Sequence, residues 1–274
     1  MEKKEETVDN DILKECHKNL LEILLYFDAF CREHRLEYII ASGTAIGALR
    51  HQGFIPWDDD IDLLMHSDDI EKLIKLWDKE ADTSRYFLQY KQSDKYYNSV
   101  VLKIRKNGTT CVDKRYTFVP MHWGIAIDIF PFYNAPRTVF GRRLMEILYK
   151  AAYKIAKIST EHFNWPGIFI QFSSSLTVFL LKCLKCLSDY AGENDYLFRP
   201  SYYGETPLIK RTDFYPLTEY CFEGHKVLGA AKTHKILKQK YGNYMKLPPE
   251  EKRVPGHQFI VDPYKDYSEY MTRM

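Results

Sequence analysis

HQGFIPWDDDIDLLMH, residues 51–66, places four aspartates within five positions and then runs into an apolar segment. Like charges this close repel one another, so something must hold them together. Side chains alternate along a strand. An extended reading of 58–65 therefore sets Asp58, Asp60 and Asp62 on one face and turns Ile61, Leu63 and Met65 to a core. Asp59 then points away from the acidic face. Carboxylates fixed in this way become compatible when a cation sits among them, and hard oxygen donors select Mg²⁺ or Mn²⁺. A solvated loop or a calcium site is the competing reading. Calcium loops, however, carry Gly or Asn spacers and a distal Glu, whereas these acids enter a strand.

Upstream, Ile12, Leu13, Cys16, Leu20, Ile23, Leu24, Phe27 and Phe30 recur at helical spacing after an Asp9 or Asn10 cap, which predicts a helix over 9–34. LEYIIAS (36–42) reads as a buried strand and TAIGALRH (44–51) as one or two helical turns. The glycine turn Ser42-Gly43-Thr44 between them is an ordinary turn by itself, yet its N–H groups and hydroxyl could take a phosphate at a helix N-terminus.

Downstream, a helix follows Ser67, and YFLQY (86–90) is a further strand. SVVLKIRKNGTTCVDKR (99–115) predicts a hairpin, because Asn107-Gly108 suits a two-residue turn. GIAIDIFPFY (124–133) predicts a strand stopped by Pro131. Asp128 interrupts its apolar run, and a lone buried carboxylate needs either a metal or an arginine partner. Beside Asp60 and Asp62 in a sheet, it could help hold two ions about 4 Å apart, the arrangement that clamps both oxygens of a phosphoryl displacement.

Past Pro136 the pattern turns helical over 139–159, 168–190 and about 229–241, with a soft boundary at residue 137. The expected organisation is α+β, with a catalytic core over 1–137 and a mainly helical region over 138–274. The chain has 274 residues, 45% apolar and 15% aromatic, enough for a sizeable core; a formal charge of +2 argues against nucleic acid as a partner. The polar N-terminus lacks the apolar segment of a secretory signal, which favours the cytoplasm and leaves the six cysteines as thiols. Cys183-x-x-Cys186 lies in a helical pattern, so helix packing or half of a zinc site explains it. Between Arg142 and Lys185 seven basic residues face Glu146 and Glu161. A solvated helix face explains this, as does contact with the anionic inner surface of a membrane; the segment is too polar to span one.

SGTAIGALRHQGFIPWDDDID (42–62) resembles the signature of the LicD family, which is similar to fukutin-related proteins and belongs to the nucleotidyltransferase-fold superfamily. LKIRKNGTT (102–110), IDIFPFY (127–133), CFEGHKV (221–227) and YGNYMKLPPEEKR (241–253) extend the resemblance over roughly 28–257. It implies a nucleotidyltransferase-like mixed β-sheet core flanked by helices, with the C-terminal region completing the site. The implied enzyme takes a phospho-alcohol, typically phosphocholine from CDP-choline, to a hydroxyl of a cell-surface glycan or its lipid-linked precursor, and releases CMP.

By the same resemblance Asp58, Asp60, Asp62 and Asp128 are the catalytic acids. Asp60, Asp62 and Asp128 are the ligands of two Mg²⁺ (or Mn²⁺) ions, and Ser42, Gly43 and Thr44 form the donor-phosphate turn. Within that frame Lys103 and Arg105, two apart on one strand, could neutralise a diphosphate, as could Arg50 and His51. Asp128 or Asp58 would take the acceptor's proton. Arg253 and His257 contact a substrate or make structural pairs, and some of the tyrosines could cage a quaternary ammonium group. Ala45 stands where such proteins often carry a larger apolar residue, and 138–190 falls in a variable region. A nucleotidyltransferase releasing pyrophosphate, a DxD glycosyltransferase and a non-catalytic nucleotide- or glycan-binding scaffold are the competing readings.

Overall fold

The structure, a computed structural model, describes residues 10–116, 119–161, 167–200, 208–255 and 259–271; His257 lies outside them. The helical spacing near the N-terminus builds α1 (Asn10–His34), which buries Cys16, Leu20, Ile23, Leu24, Phe27 and Phe30. There follow β1 (Tyr38–Ile40), α2 (Ser42–Arg50), β2 (Asp62–His66), α3 (Ser67–Glu80), β3 (Tyr86–Gln89), β4 (Leu102–Lys106), β5 (Thr110–Asp113) and β6 (Ala126–Asn134). Then come α4 (Val139–Glu161), α5 (Gly167–Ala191), β7 (Tyr196–Phe198), β8 (Leu208–Lys210), α6 (Arg211–Phe214), β9 (Thr218–Phe222), β10 (His225–Gly229), α7 (Thr233–Tyr241), β11 (Phe259–Asp262) and α8 (Ser268–Met271). The fold is α+β.

The main sheet runs β1-β2-β6-β4-β3, with β7 on β6 and β8 on β7. It is mixed: β2 and β6 are parallel, while β1, β4 and β3 join antiparallel. Period-two burial sorts its faces. Leu63, Met65, Ile104, Ile127 and Ile129 turn to a core shared with α1 and α3, where Trp77 packs edge-on to Tyr26. Asp62, Lys103, Arg105 and Asp128 therefore share the opposite face.

Several local expectations fail for long-range reasons. β2 begins at Asp62, and Asp58–Ile61 is not strand. The chain turns just before it, Asp58 N–H donating to Ile55 O, so strand alternation does not sort Asp58, Asp59 and Asp60. β4 and β5 do not form a hairpin about Asn107-Gly108, although Gly108 takes the left-handed conformation such a turn uses (φ 72°). Both edges of β4 are occupied by β3 and β6, so β5 pairs with β11 instead.

Pro131 does not stop β6. Asp128 N–H points toward β2, donating to Ile61 O, so alternation aims position 131 at the other edge. There β4 has ended at Ile129 and β7 starts only at Tyr133, and no ladder bond is lost. Gly229 closes β10 rather than opening a helix, and α7 starts at Thr233.

The later chain enters the first core. Phe222, Val227, Leu237 and Tyr244 pack with Leu24, Phe27 and Ile40, and β9–β10 forms a hairpin over β1. α4 and α5 pack together and onto β6 through Met145, Tyr149, Ala152 and Leu184, and Lys185 ties α5 to Asp68 at 2.9 Å. Cys186 is exposed, so core packing does not explain it.

Because Leu237 is buried in the same core as α1, Leu237→Ala should destabilise the whole unit by about 2–5 kcal/mol in one urea transition. A separate early transition that leaves the β2–β6 core intact would show that the two halves unfold independently.

Candidate functional site

On the polar face of the sheet lies a cavity of about 1060 Å³, bounded by β2, β4, β6, α1, α4 and parts of the C-terminal region. Asp62 and Asp128 are register partners on the parallel strands β2 and β6, and Lys103 on β4 is the partner of Asp128 on its other side. Lys103 Nζ donates to Asp128 Oδ1 in a close ion pair. Asp59 and Asp60 reach the same cavity from the loop before β2.

Asp62 opens on the cavity but sits deep in its wall. Burial, then the nearby charges of Asp60 and Asp128, push its carboxyl well above the ordinary range, while Ser42 and Lys103 pull the other way. Its backbone is fixed on both sides: Asp62 N–H donates to Thr44 Oγ1 at 2.8 Å, and Asp62 O accepts from Ala41 N–H at 2.9 Å. Thr44 thus aligns the strand instead of leaving its hydroxyl open to a ligand.

The acids of the preceding loop do not divide into a working face and a bystander. One carboxylate oxygen each from Asp58, Asp59 and Asp60 lie within 4.8 Å of one another, and Asp59, expected to point away, lines the cavity. Asp58 instead faces the start of α2. A Cβ on Gly43 would stand 2.3 Å from Asp58 Oδ2, so glycine is what admits this carboxylate, and the positive end of the helix favours it there. Ser42, which opens α2, takes a left-handed φ of 44°. The carboxylate oxygens grouped within 4.8 Å are those of Asp58, Asp59 and Asp60, and Asp60 and Asp128 stand close enough to Asp62 to raise its carboxyl; hard oxygen donors gathered in this way fit a divalent cation.

Three distant segments pin the acidic loop. His17 Nε2 donates to Asp58 O at 2.7 Å, and its ring stacks on Phe54 at 4.1 Å. Burial lowers the His17 pKa, so the neutral ring carries its proton on Nε2, facing a carbonyl that only accepts. Glu223, in the β9–β10 turn, accepts from Phe54 N–H at 2.9 Å and donates its own N–H to Gln52 O at 2.8 Å. Arg253 lies over the Trp57 ring at 5.8 Å. Sequence reasoning missed His17, Glu223 and Asp59; the acidic residue in CFEGHKV was a signal without a visible partner.

The remaining expected residues are placed as follows. Arg105 lines the cavity floor but is buried: Nε donates to Gln89, Nη1 donates to Gly124 O at 2.6 Å, and the guanidinium lies over Trp123. Arg50 Nε donates to His51 Nε2, and Arg50 Nη1 donates to Tyr244 O at 2.6 Å; neither residue lines the cavity. Arg253 likewise supports the loop from behind, donating from Nε to Pro248 O. Of the cations expected to meet a diphosphate, Lys103 pairs directly with an aspartate, while Arg50 and Arg105 are within electrostatic reach of Asp58 and Asp128.

The mixed sheet thus carries acids on neighbouring strands, with the helix that Ser42 and Gly43 open set against them. Residues 35–174 match the family described as LicD/FKTN/FKRP, nucleotidyltransferase domain. The lipopolysaccharide cholinephosphotransferase LicD of Haemophilus influenzae is 32% identical over 271 residues, covering 89% of this chain and 96% of that protein. Uncharacterised proteins of Rickettsia prowazekii (32% over 89 residues, 26% of this chain and 34% of that one) and Rickettsia typhi (54% over 39 residues, 14% and 13%) are also similar. The chain belongs to the LicD family and is a phosphotransferase enzyme.

Gly43→Ala should cost stability through its clash with Asp58, and the cost should largely vanish on an Asp58→Ala background. A double-mutant cycle by thermal unfolding should give a coupling of roughly 0.5–3 kcal/mol. Additive effects would mean that Asp58 does not occupy the space over Gly43.

Proposed function

We propose that this chain transfers phosphocholine from CDP-choline to a hydroxyl of lipopolysaccharide or a lipid-linked glycan precursor, releasing CMP in the cytoplasm. The observation that carries this reading is the alignment, along nine-tenths of the chain, with a lipopolysaccharide cholinephosphotransferase. The cavity supports it with Asp60, Asp62, Asp128 and Lys103 on one wall.

Ions of Mg²⁺ or Mn²⁺ held by Asp60, Asp62 and Asp128 supply charge neutralisation for a diphosphate and its phosphoryl oxygens. Ser42, at the start of α2 and on the cavity wall, faces a donor phosphate, while Gly43 makes room for Asp58 beside it. Lys103, held against Asp128 by the β4–β6 register, adds a positive charge. The acceptor oxygen attacks the phosphorus that carries choline, the bond from that phosphorus to the bridging oxygen breaks, and CMP departs. Asp128 takes the acceptor's proton where the ion rests on Asp60 and Asp62, since Asp58 is turned to Gly43. Phe130, Tyr153 and Tyr241 on the cavity wall offer ring faces to a quaternary ammonium, each worth roughly 0.5–2 kcal/mol.

Purified protein given Mg²⁺, CDP-choline and a glycan acceptor should release CMP and label the glycan. Chelation should stop the reaction, and added Mg²⁺ or Mn²⁺ should restore it. Pyrophosphate release from CTP or ATP in place of CMP would replace this function with nucleotidyl transfer. Asp60→Asn should cut turnover by about a thousandfold or more with an unchanged circular dichroism spectrum and melting temperature. Wild-type rates in that variant would remove Asp60 from the ligand set.

A further inference from the structure

The α4–α5 hairpin presents a surface that the cavity chemistry does not use. On α4, Phe140 and Ile147 are 79% and 59% exposed, one heptad apart and so on one side of the helix; on α5, Phe172 and Phe179 are 67% and 60% exposed with the same spacing. The apolar row on α4 runs beside exposed Arg143, Lys150, Lys154 and Lys157, and Lys182 flanks the row on α5. Between 139 and 191 seven lysines and arginines stand against three acids, a formal +4 on a chain whose total is +2. The positive charge is therefore concentrated on the hairpin, and the rest of the molecule is slightly acidic.

Two of the seven cations are committed elsewhere. Lys185 binds Asp68 and Asp189, and Arg142 donates to the carbonyls of Pro136 and Arg137. Along α4, Lys150 and Arg143 share Glu146 at 2.6 and 3.4 Å and Lys157, at the cavity rim, lies 3.7 Å from Glu161, all as exposed surface pairs; Lys154 and Lys182 are exposed beside them. No helix among the described residues is long and apolar enough to cross a membrane, so exposed aromatic rows edged with lysine suit a surface on which the helices lie flat.

We infer that the hairpin docks on an anionic phospholipid surface, with Phe172 and Phe179 entering the headgroup region and Lys150, Lys154 and Lys182 facing its negative charge. Charge decides between this surface and a second copy of the chain. Two hairpins packed face to face would set the positive rows against each other, whereas an anionic bilayer complements them. The placement is also suited to delivery, because Tyr153, Ala156, Lys157 and Thr160 of α4 form a wall of the cavity. A lipid-borne molecule at this surface is therefore one helix away from the aspartates. The inference does not depend on the transfer reaction, since docking needs no turnover.

The test is flotation of the full chain with phosphatidylcholine vesicles containing or lacking phosphatidylglycerol. The chain should float with the anionic vesicles and stay behind with neutral ones. Phe172→Ser/Phe179→Ser and, separately, Lys150→Glu/Lys154→Glu should each lower bound protein by about tenfold or more at unchanged melting temperature. Absence of flotation on anionic vesicles, equal flotation on neutral vesicles, or variants that float as wild type would overturn the inference. So would a dimer in sedimentation that Phe172→Ser/Phe179→Ser converts to monomer, since the face would then belong to a second copy.

Discussion

Asp62 and Asp128 sit opposite each other on parallel strands at the centre of the sheet, and the rest of the site is organised around that repulsion. A sheet does not leave two carboxylates side by side in its wall without compensation. Here it comes from Lys103 on the third strand and from the hydrogen-bonding edge of α2, and a divalent cation completes the balance under the proposed function. The apolar residues on the reverse face make the arrangement rigid. Leu63, Met65, Ile127 and Ile129 are fully buried, so neither strand can slip by one residue without turning its acid into the core.

Much of this was legible locally. The helix over α1, the strand–glycine–helix order around Ser42 and Gly43, and the lone acid in an apolar run at Asp128 are short-range patterns with direct physical meaning. What could not be read was which strand edges were already occupied. The hairpin about Gly108 fails because β3 and β6 take both sides of β4, and Pro131 is tolerated because β6 has an open edge at that position. Neither fact is encoded near the residue concerned.

The acidic run shows the same limit from another direction. Period-two spacing is informative only where the chain is in fact a strand, and here it becomes one at Asp62. In the loop before it, positions are set by His17, Gly43 and Glu223, which lie far away or act through the absence of a side chain. Arg105 illustrates a further confusion. It does share a face with Lys103, but its burial under Trp123 and its bonds to Gln89 and Gly124 make it part of the cavity's frame.

The fastening of the acidic loop bears on the order in which the molecule matures. Phe54 meets Glu223 across 169 residues and Arg50 meets Tyr244 across 194, so the loop reaches its final shape only after almost the whole chain has been collapsed together. Contacts of such span close late, after shorter-range strands and helices have formed. A folding chain of this kind acquires its core before its chemistry. Since Phe222, Val227, Leu237 and Tyr244 belong to the core beneath the sheet, the loop's shape and the core's integrity are tied to the same C-terminal segments.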